Sequence, residues 1–200
     1  MSLKRKSKIR YDSTKDCIDE EEYQNNQIAV LNALYDITRE GGACFYNHRI
    51  RYKQKTVINP LDWLLRTKWK IQQEIIWDKV LILNPDPIRF YHVDERIYWL
   101  QKGDCSIQVR NFTTVWRIKE NVPDFARIHP APFRPSIPGR IIDVFLGENP
   151  GLVFDPYCGV GTALIEAKKR GKKYIGCDIS QKYIEIAKKQ LSITNSLFIR

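Results

Sequence analysis

The sequence predicts an α/β fold with strands in parallel, and three observations carry that prediction. Residues 151–178 read strand, glycine turn, helix, strand, the order of a βαβ unit. Apolar residues recur at helical spacing in Ile28, Leu31, Leu34 and Ile37, and again in Tyr183, Ile184, Ala187 and Leu191. Between these stripes lie short aromatic and β-branched runs of strand character, such as Ile75-Ile76-Trp77 and Ile97-Tyr98-Trp99. Two hundred residues, 43% of them hydrophobic, suffice for one sizeable core.

Taken in order, residues 1–19 form a charged, flexible arm without apolar period. Glu20 to Glu40 is expected to be a helix stopped by Gly41-Gly42. Ala43 to Tyr46 begins a buried strand, which puts Asn47, His48 and Arg49 at its carboxyl end, where open α/β sheets hold ligands. His48 is the histidine best placed to meet a nucleotide, against the plainer reading of a surface loop histidine. Pro60 suits the first turn of a helix through Trp69, with Leu61, Leu64 and Leu65 facing inward. Strands are expected at Gln73 to Trp77 and Arg96 to Leu100, separated by a loop because Pro85 and Pro87 forbid a regular element. Ile107, Val109, Phe112, Val115 and Trp116 alternate enough for one more strand or hairpin arm. Prolines 123, 130, 132, 135 and 138 make a stiff lead-in to a helix from Gly139 to Leu146. Ser180 is the expected N-cap of the last helix. The expected organisation is an arm (1–19) followed by two halves of one domain (20–119 and 120–200).

The chemistry concentrates at residues 155–178. Leu152, Val153 and Phe154 read as a buried parallel strand. Gly159 and Gly161 accept positive φ, and without a Cβ they let a ligand approach the backbone. Thr162 to Arg170 is helical, with Ala163, Leu164 and Ala167 on one side and Gly171 at the C′ stop. A second strand, through Tyr174, Ile175 and Cys177, ends at Asp178. An acid about 20 positions beyond a glycine turn, at a strand end, is placed to accept ribose hydroxyls. The pattern is not GxGxxG, because position 164 is leucine. Asp155 at the first strand's end would repel a pyrophosphate and suits a cationic, amine-bearing ligand. S-adenosylmethionine (SAM), with its sulfonium and α-amino group, fits better than a nicotinamide dinucleotide. An ordinary βαβ unit with a surface aspartate would explain the glycines alone, but not the glycines together with both acids.

The net charge is +10 and the excess is clustered. Lys4, Arg5, Lys6, Lys8 and Arg10 lie in the arm; Arg49, Arg51, Lys53 and Lys55 form a second cluster; Lys168, Lys169, Arg170, Lys172 and Lys173 form a third. Such clusters are the footprint of a phosphate-backbone partner, although the third also suits a helix C-terminus. Five cysteines without CxxC spacing argue against a disulfide framework or a zinc site and for a reducing, cytoplasmic setting. Cys158 is expected to be a small buried filler. No run approaches the length of a membrane span.

Asp155-Pro156-Tyr157-Cys158-Gly159-Val160-Gly161-Thr162, followed by Tyr174 to Leu191, resembles the SAM-binding end of the DNA amino-methyltransferases, which methylate adenine N6 or cytosine N4. Tyr157 stands where the family pattern D-P-F-x-G-x-G-T has Phe. His129 to Pro135 resembles the family's HPxxFP segment, Ile75 to Lys79 its IIWxK strand, and Asp36 to Tyr52 its double-glycine segment. His92 and Glu95 resemble its H-E motif, here interrupted by Val93-Asp94. The resemblance implies a Rossmann-like SAM-dependent methyltransferase fold, SAM as cofactor and DNA as partner. It implies Asp155, Tyr157, Gly159, Gly161 and Thr162 at the cofactor, Asp178 on the ribose, Ile179 against adenine, and Pro130 to Phe133 lining the pocket. Arg49, Arg51 and Lys53 become candidates for DNA phosphates.

Family members act through a [D/N/S]-P-P-[Y/F/W] tetrad that accepts hydrogen bonds from the target amine and stacks on the flipped base. This sequence contains none; Asn84-Pro85-Asp86-Pro87 lacks the adjacent prolines and the aromatic ring. In the family's permuted order the tetrad and one or two strands would precede Tyr11, so an incomplete sheet is expected and no catalytic residue is assigned. A fragment of a longer enzyme, one half of a split enzyme completed by a second chain, and a non-catalytic DNA-binding subunit are the three readings, in that order.

Overall fold

The computed structural model describes residues 18–53, 55–80, 88–119, 121–129 and 131–194. Residues 1–17 of the expected arm, the loop at 81–87 and Pro130 lie outside them. The chain divides into two compact units, Asp16–Ser106 with Asn111–Lys119, and Ile107–Arg110 with Glu120–Arg200.

The first unit opens with α1 (Glu20–Ile37). Asp19 caps it, its carboxylate accepting the Glu21 amide at 3.0 Å, and Glu20, Glu21 and Glu22 complement the helix dipole. The helix ends three residues short of the expected Glu40. Thr38 turns extended (φ −79°, ψ 134°) and its hydroxyl donates to the Leu34 carbonyl at 2.6 Å. Ile37 therefore leaves the buried stripe and is 69% exposed, while Leu31 is 2% exposed. A four-stranded mixed sheet follows, in the order β1 (Ala43–His48), β5 (Asp94–Gln101), β4 (Lys70–Asp78), β6 (Val115–Arg117). β5 runs antiparallel to both neighbours, and β6 runs parallel to β4.

A hairpin of β2 (Arg51–Lys53) and β3 (Thr56–Ile58) was not foreseen. α2 is a single turn (Leu61–Leu64), not a helix to Trp69. Of the expected stripe, Leu64 is fully buried and Leu61 packs against the core, but Leu65 is exposed and Trp63 is fully buried in addition. The core gathers Leu31, Trp63, Leu64, Trp69, Tyr98 and Leu100, and the Trp69 indole donates to the Leu31 carbonyl at 2.7 Å. Residues 105–119 yield one three-residue strand, β6, with Trp116 buried; Val109, Phe112 and Val115 are exposed.

The second unit comprises a 3-10 turn (Asp124–Ala126), α3 (Ser136–Phe145), β7 (Leu152–Asp155), α4 (Thr162–Lys169), β8 (Lys173–Gly176) and α5 (Gln181–Ile193). α3 begins three residues before the expected Gly139, because Pro135 already holds αR geometry at its entry. β7 and β8 pair in parallel, Leu152 opposite Lys173 and Asp155 opposite Gly176. Arg170 grips Asp143 of α3 at 2.6 and 3.0 Å and Glu166 at 2.5 Å, Lys169 also reaches Glu166, and Lys172 is buried with its ammonium on the Asn149 carbonyl. Much of the third basic cluster is thus structural. Gly171, at φ +64°, ends α4.

β7 is less buried than expected. Leu152, Phe154 and Ile175 stand 55%, 38% and 53% exposed. Among the described residues β8 is the strand partner of β7 and β5 that of β1, so each has one edge without a strand. No helix among the described residues is long and apolar enough to cross a membrane.

Candidate functional site

At the end of β7 the chain turns through Pro156 to Gly161 into α4. The Asp155 carboxylate accepts the Tyr157 amide at 3.0 Å, an Asx turn that aims the backbone away from the strand. The Cys158 amide donates to the Cys177 carbonyl at 3.0 Å and the Cys177 amide to the Asp155 carbonyl at 3.1 Å, stitching the turn to the end of β8. Asp178 closes it. One carboxylate oxygen accepts the Gly159 amide at 2.9 Å, and the other accepts the Ser180 amide at 2.8 Å. Ser180 stands at the N-cap of α5 as expected, but its hydroxyl makes no capping bond; Asp178 fixes that position instead. Each carboxylate oxygen keeps a second lone pair, which leaves acceptor capacity for hydroxyls of a ligand.

Gly159 and Gly161 lie in the left-handed region, at φ +50° and +85°. A Cβ on Gly159 would stand 3.1 Å from the His129 Nε2, and one on Gly161 would stand 2.9 Å from the Ala187 methyl. The sides expected to admit a ligand are therefore filled by the protein itself, and both glycine amides donate within the chain, Gly159 to Asp178 at 2.9 Å and Gly161 to the Cys158 carbonyl at 2.8 Å. The requirement for glycine comes from backbone geometry and from the packing of α5.

Burial pushes the Asp155 carboxyl above the usual range; the Tyr157 amide opposes this and the negative charge of Asp178 adds to it. Such a carboxyl favours a cationic neighbour, which would stabilise its ionised form. Cys158 is buried and its thiol is pushed up to about 12, so it packs and does not react. Burial also holds His129 below the usual histidine value. Its Nδ1 accepts the Ala131 amide at 3.2 Å, which in the neutral ring leaves the hydrogen on Nε2, and the ring rests 4.9 Å from that of Tyr183. Thr162, the first residue of α4, is buried, and Phe133 is half-buried. Tyr157 and Ile179 are 65% and 77% exposed, two large side chains at the turn without cover. Sequence reading passed over His129 and Ala187 as determinants of the turn; the histidine of the His129–Pro130 pair was the available signal.

In the first unit His48 is an anchored strand residue, which corrects the loop reading. Its Nδ1 donates to the Arg49 carbonyl at 2.6 Å, so Nε2 accepts the Tyr23 hydroxyl at 2.8 Å. Its ring stacks on Tyr46 and meets the edge of Trp63. Burial, against the opposing Arg49 carbonyl bond, keeps it below the usual histidine value. Arg51 forks onto Glu20 at 2.7 and 3.0 Å and lies 4.2 Å over the Tyr23 ring. Lys53 faces Asp19 at 3.8 Å, and Arg49 is exposed. Of the three expected phosphate contacts, Arg51 is thus held by its own chain. Among the described residues no group of three or more His, Cys, Asp or Glu side chains is arranged to hold a metal ion.

The parallel strand pair, the glycine turn and the strand-end acid form a Rossmann-like βαβ unit, and solved structures agree on the fold. M1.HpyAVI, solved as a SAM complex, superposes with a TM-score of 0.68 over 86% of this chain and 85% of that chain, at 18% identity. The PvuII cytosine-N4-specific DNA methyltransferase does so with a TM-score of 0.68 over 96% and 84%, at 13% identity. Residues 3–189 match the DNA methylase family of N6 and N4 methyltransferases, and the chain belongs to that family. It is 35% identical to the orphan methyltransferase M.BamHII of Bacillus amyloliquefaciens, over 84% of this chain and 82% of that protein. It is 32% identical to the type II methyltransferase M2.LlaDCHI of Lactococcus lactis over 62% of this chain, and 29% identical to M2.DpnII of Streptococcus pneumoniae over 64%. The chain spans about half the length of these last two relatives.

Proposed function

We propose that this chain carries the cofactor half and part of the base-side half of a DNA methyltransferase, which moves a methyl group from SAM to the exocyclic amine of adenine or cytosine in the cytoplasm. The observation that carries the reading is Asp178 closing the glycine turn beside a half-buried Asp155. The bound cofactor would supply an activated methyl group on a sulfonium. In this reading Asp155 faces its cationic end, Asp178 accepts its ribose hydroxyls, and Ile179 covers the adenine. Tyr157, Gly159, Gly161 and Thr162 shape the turn around it, and Phe133 with Pro130 closes the pocket. Arg49 and Lys53 meet DNA phosphates, with Arg51 bracing the β2–β3 hairpin against α1 through Glu20. Positioning is the protein's main contribution, because a sulfonium is already a good leaving group.

The amine-accepting tetrad is absent from this sequence. We assign it to a segment outside this sequence, first of the same enzyme and second of a partner chain, whose strand would add to the edge of β7 that no described residue occupies. Calorimetry with SAM tests the cofactor reading: the parent chain should bind and Asp178→Ala should not. Transfer of labelled methyl groups to DNA should then require the completing segment. The missing tetrad also favours a second reading, a non-catalytic DNA-binding subunit; DNA binding without any SAM affinity would select it.

A further inference from the structure

The β2–β3 hairpin is a cationic ribbon with a fixed base and an open tip. Residues 49–59 hold four cations, Arg49, Arg51, Lys53 and Lys55, and no carboxylate. At the base Arg51 forks onto Glu20 at 2.7 and 3.0 Å and lies over the Tyr23 ring. Ile58, opposite Arg51 in the ribbon, packs against the core around Leu31 and Trp63. Tyr52 meets the His92 ring at 5.1 Å. Toward the tip Lys53, Lys55, Thr56 and Val57 are all exposed. Lys53 stands opposite Thr56, and the chain reverses between them with Lys55 at φ +64°. Glycine or asparagine is the residue for that geometry. A lysine there weakens the turn and sets an ammonium at its apex, and strain of this kind gathers at functional positions.

We infer that this ribbon enters the major groove of duplex DNA, where Lys55 reads the edge of a guanine. The major groove of B-form DNA admits a two-stranded ribbon, and guanine shows O6 and N7 there side by side as acceptors for a lysine. Val57, 52% exposed, offers the apolar contact that a thymine methyl takes. Lys53 and Arg49 meet phosphates at the groove walls, which positions the ribbon without choosing a sequence. Duplex RNA does not fit, because its major groove is too deep and narrow for side chains to read. The inference rests on the DNA reading above and adds the element and the residue that select the sequence; it does not require SAM to bind.

Selection of bound duplexes from a random-sequence DNA pool, with the full chain and no cofactor, tests it. The parent should enrich a sequence containing a guanine that Lys55→Gly no longer demands. In fluorescence anisotropy on that sequence, changing the guanine should weaken the parent about 5- to 150-fold, the worth of one base contact, and leave Lys55→Gly unaffected. Substituting 7-deazaguanine, which removes N7 from the major groove, should weaken the parent alone. Inosine, which removes only the minor-groove amine, should weaken neither. Lys53→Ala should weaken every sequence alike and lower the salt slope by about 1. Glycine suits φ +64°, so Lys55→Gly should keep or raise the urea midpoint, which separates lost reading from lost folding. The same enriched sequence from parent and Lys55→Gly, no enriched sequence from the parent, a loss with inosine in place of 7-deazaguanine, or equal affinity for duplex RNA overturns the inference. If SAM calorimetry shows no binding while Lys55 still governs the guanine, the methyltransferase reading falls and the ribbon stands. If SAM binds and Lys55→Gly selects as the parent does, the ribbon alone falls.

Discussion

Asp178 holds the Gly159 amide at 2.9 Å with one oxygen and the Ser180 amide at 2.8 Å with the other. The acid that should grip a ribose is therefore also the clasp of the turn. Asp178→Ala orphans both amides and should destabilise the chain by about 2–4 kcal/mol, since each unsatisfied donor costs roughly 1–3 kcal/mol. Asp178→Asn keeps one acceptor oxygen and should cost about half as much. Urea titration reads the stability and calorimetry the loss of SAM binding; an unchanged urea midpoint in Asp178→Ala would contradict the clasp.

Asp155 gives a pH dependence with opposite signs for folding and binding. Its carboxyl is raised in the folded chain, so its contribution to stability is present at low pH and is lost as pH rises through the folded value. Asp155→Asn should then be more stable than the parent at pH 7 in the absence of cofactor. A bound cation favours the ionised carboxylate, so SAM affinity should fall as pH drops through that raised value, above the ordinary range near ~4. In Asp155→Asn the slope should vanish and neutral-pH affinity should weaken. Calorimetry across pH 5 to 8 checks both arms.

His48 behaves in the contrary sense. A histidine held below its ordinary value contributes stability above the unfolded value of about 6.5, lost as pH falls toward the folded value. Protonation would put a hydrogen on Nε2, which now accepts from Tyr23, and would set a charge near Arg49 and Arg51, opposed by the Arg49 carbonyl bond and by Glu95. Tyr23→Phe should cost about 1 kcal/mol, the usual value of a hydrogen bond. Thermal melts from pH 5 to 7.5 should show a steep acid limb that His48→Phe flattens.

Arg51→Ala should lower stability by roughly 1–3 kcal/mol, because a partly buried Glu20 loses a forked partner. Arg49→Ala should leave stability within about 0.5 kcal/mol, as exposed substitutions do, and should weaken duplex binding. Paired urea and DNA-binding titrations separate the two arginines.

Gly161→Ala should destabilise by about 1–3 kcal/mol, since it places a side chain at φ +85° and against Ala187. Adding Ala187→Gly should recover part of the loss, and chemical denaturation of the double variant reads it.

The βαβ unit was legible because its signals are local: a glycine turn, a C′ glycine and two short apolar runs lie within one stretch. The β2–β3 hairpin was not, because its turn uses Lys55 at φ +64° where a glycine or asparagine would have announced it. Arg51 read as a free cation because its partner, Glu20, lies 31 positions away and the two meet only through the tertiary fold. His48 was misplaced for the same reason, its Tyr23 partner being 25 positions away. Trp63 took the inward place of Leu65 because α2 stops after one turn, a length that periodicity does not encode.

The contact between Gly161 and Ala187 reaches further than packing. The Ala187 methyl of α5 limits how far the turn at Gly161 can shift. Under the proposed function, position 187 would then set, from α5, how far the turn can open toward a cofactor. Selection for altered cofactor analogues should return to it even when every residue lining the cradle is left untouched.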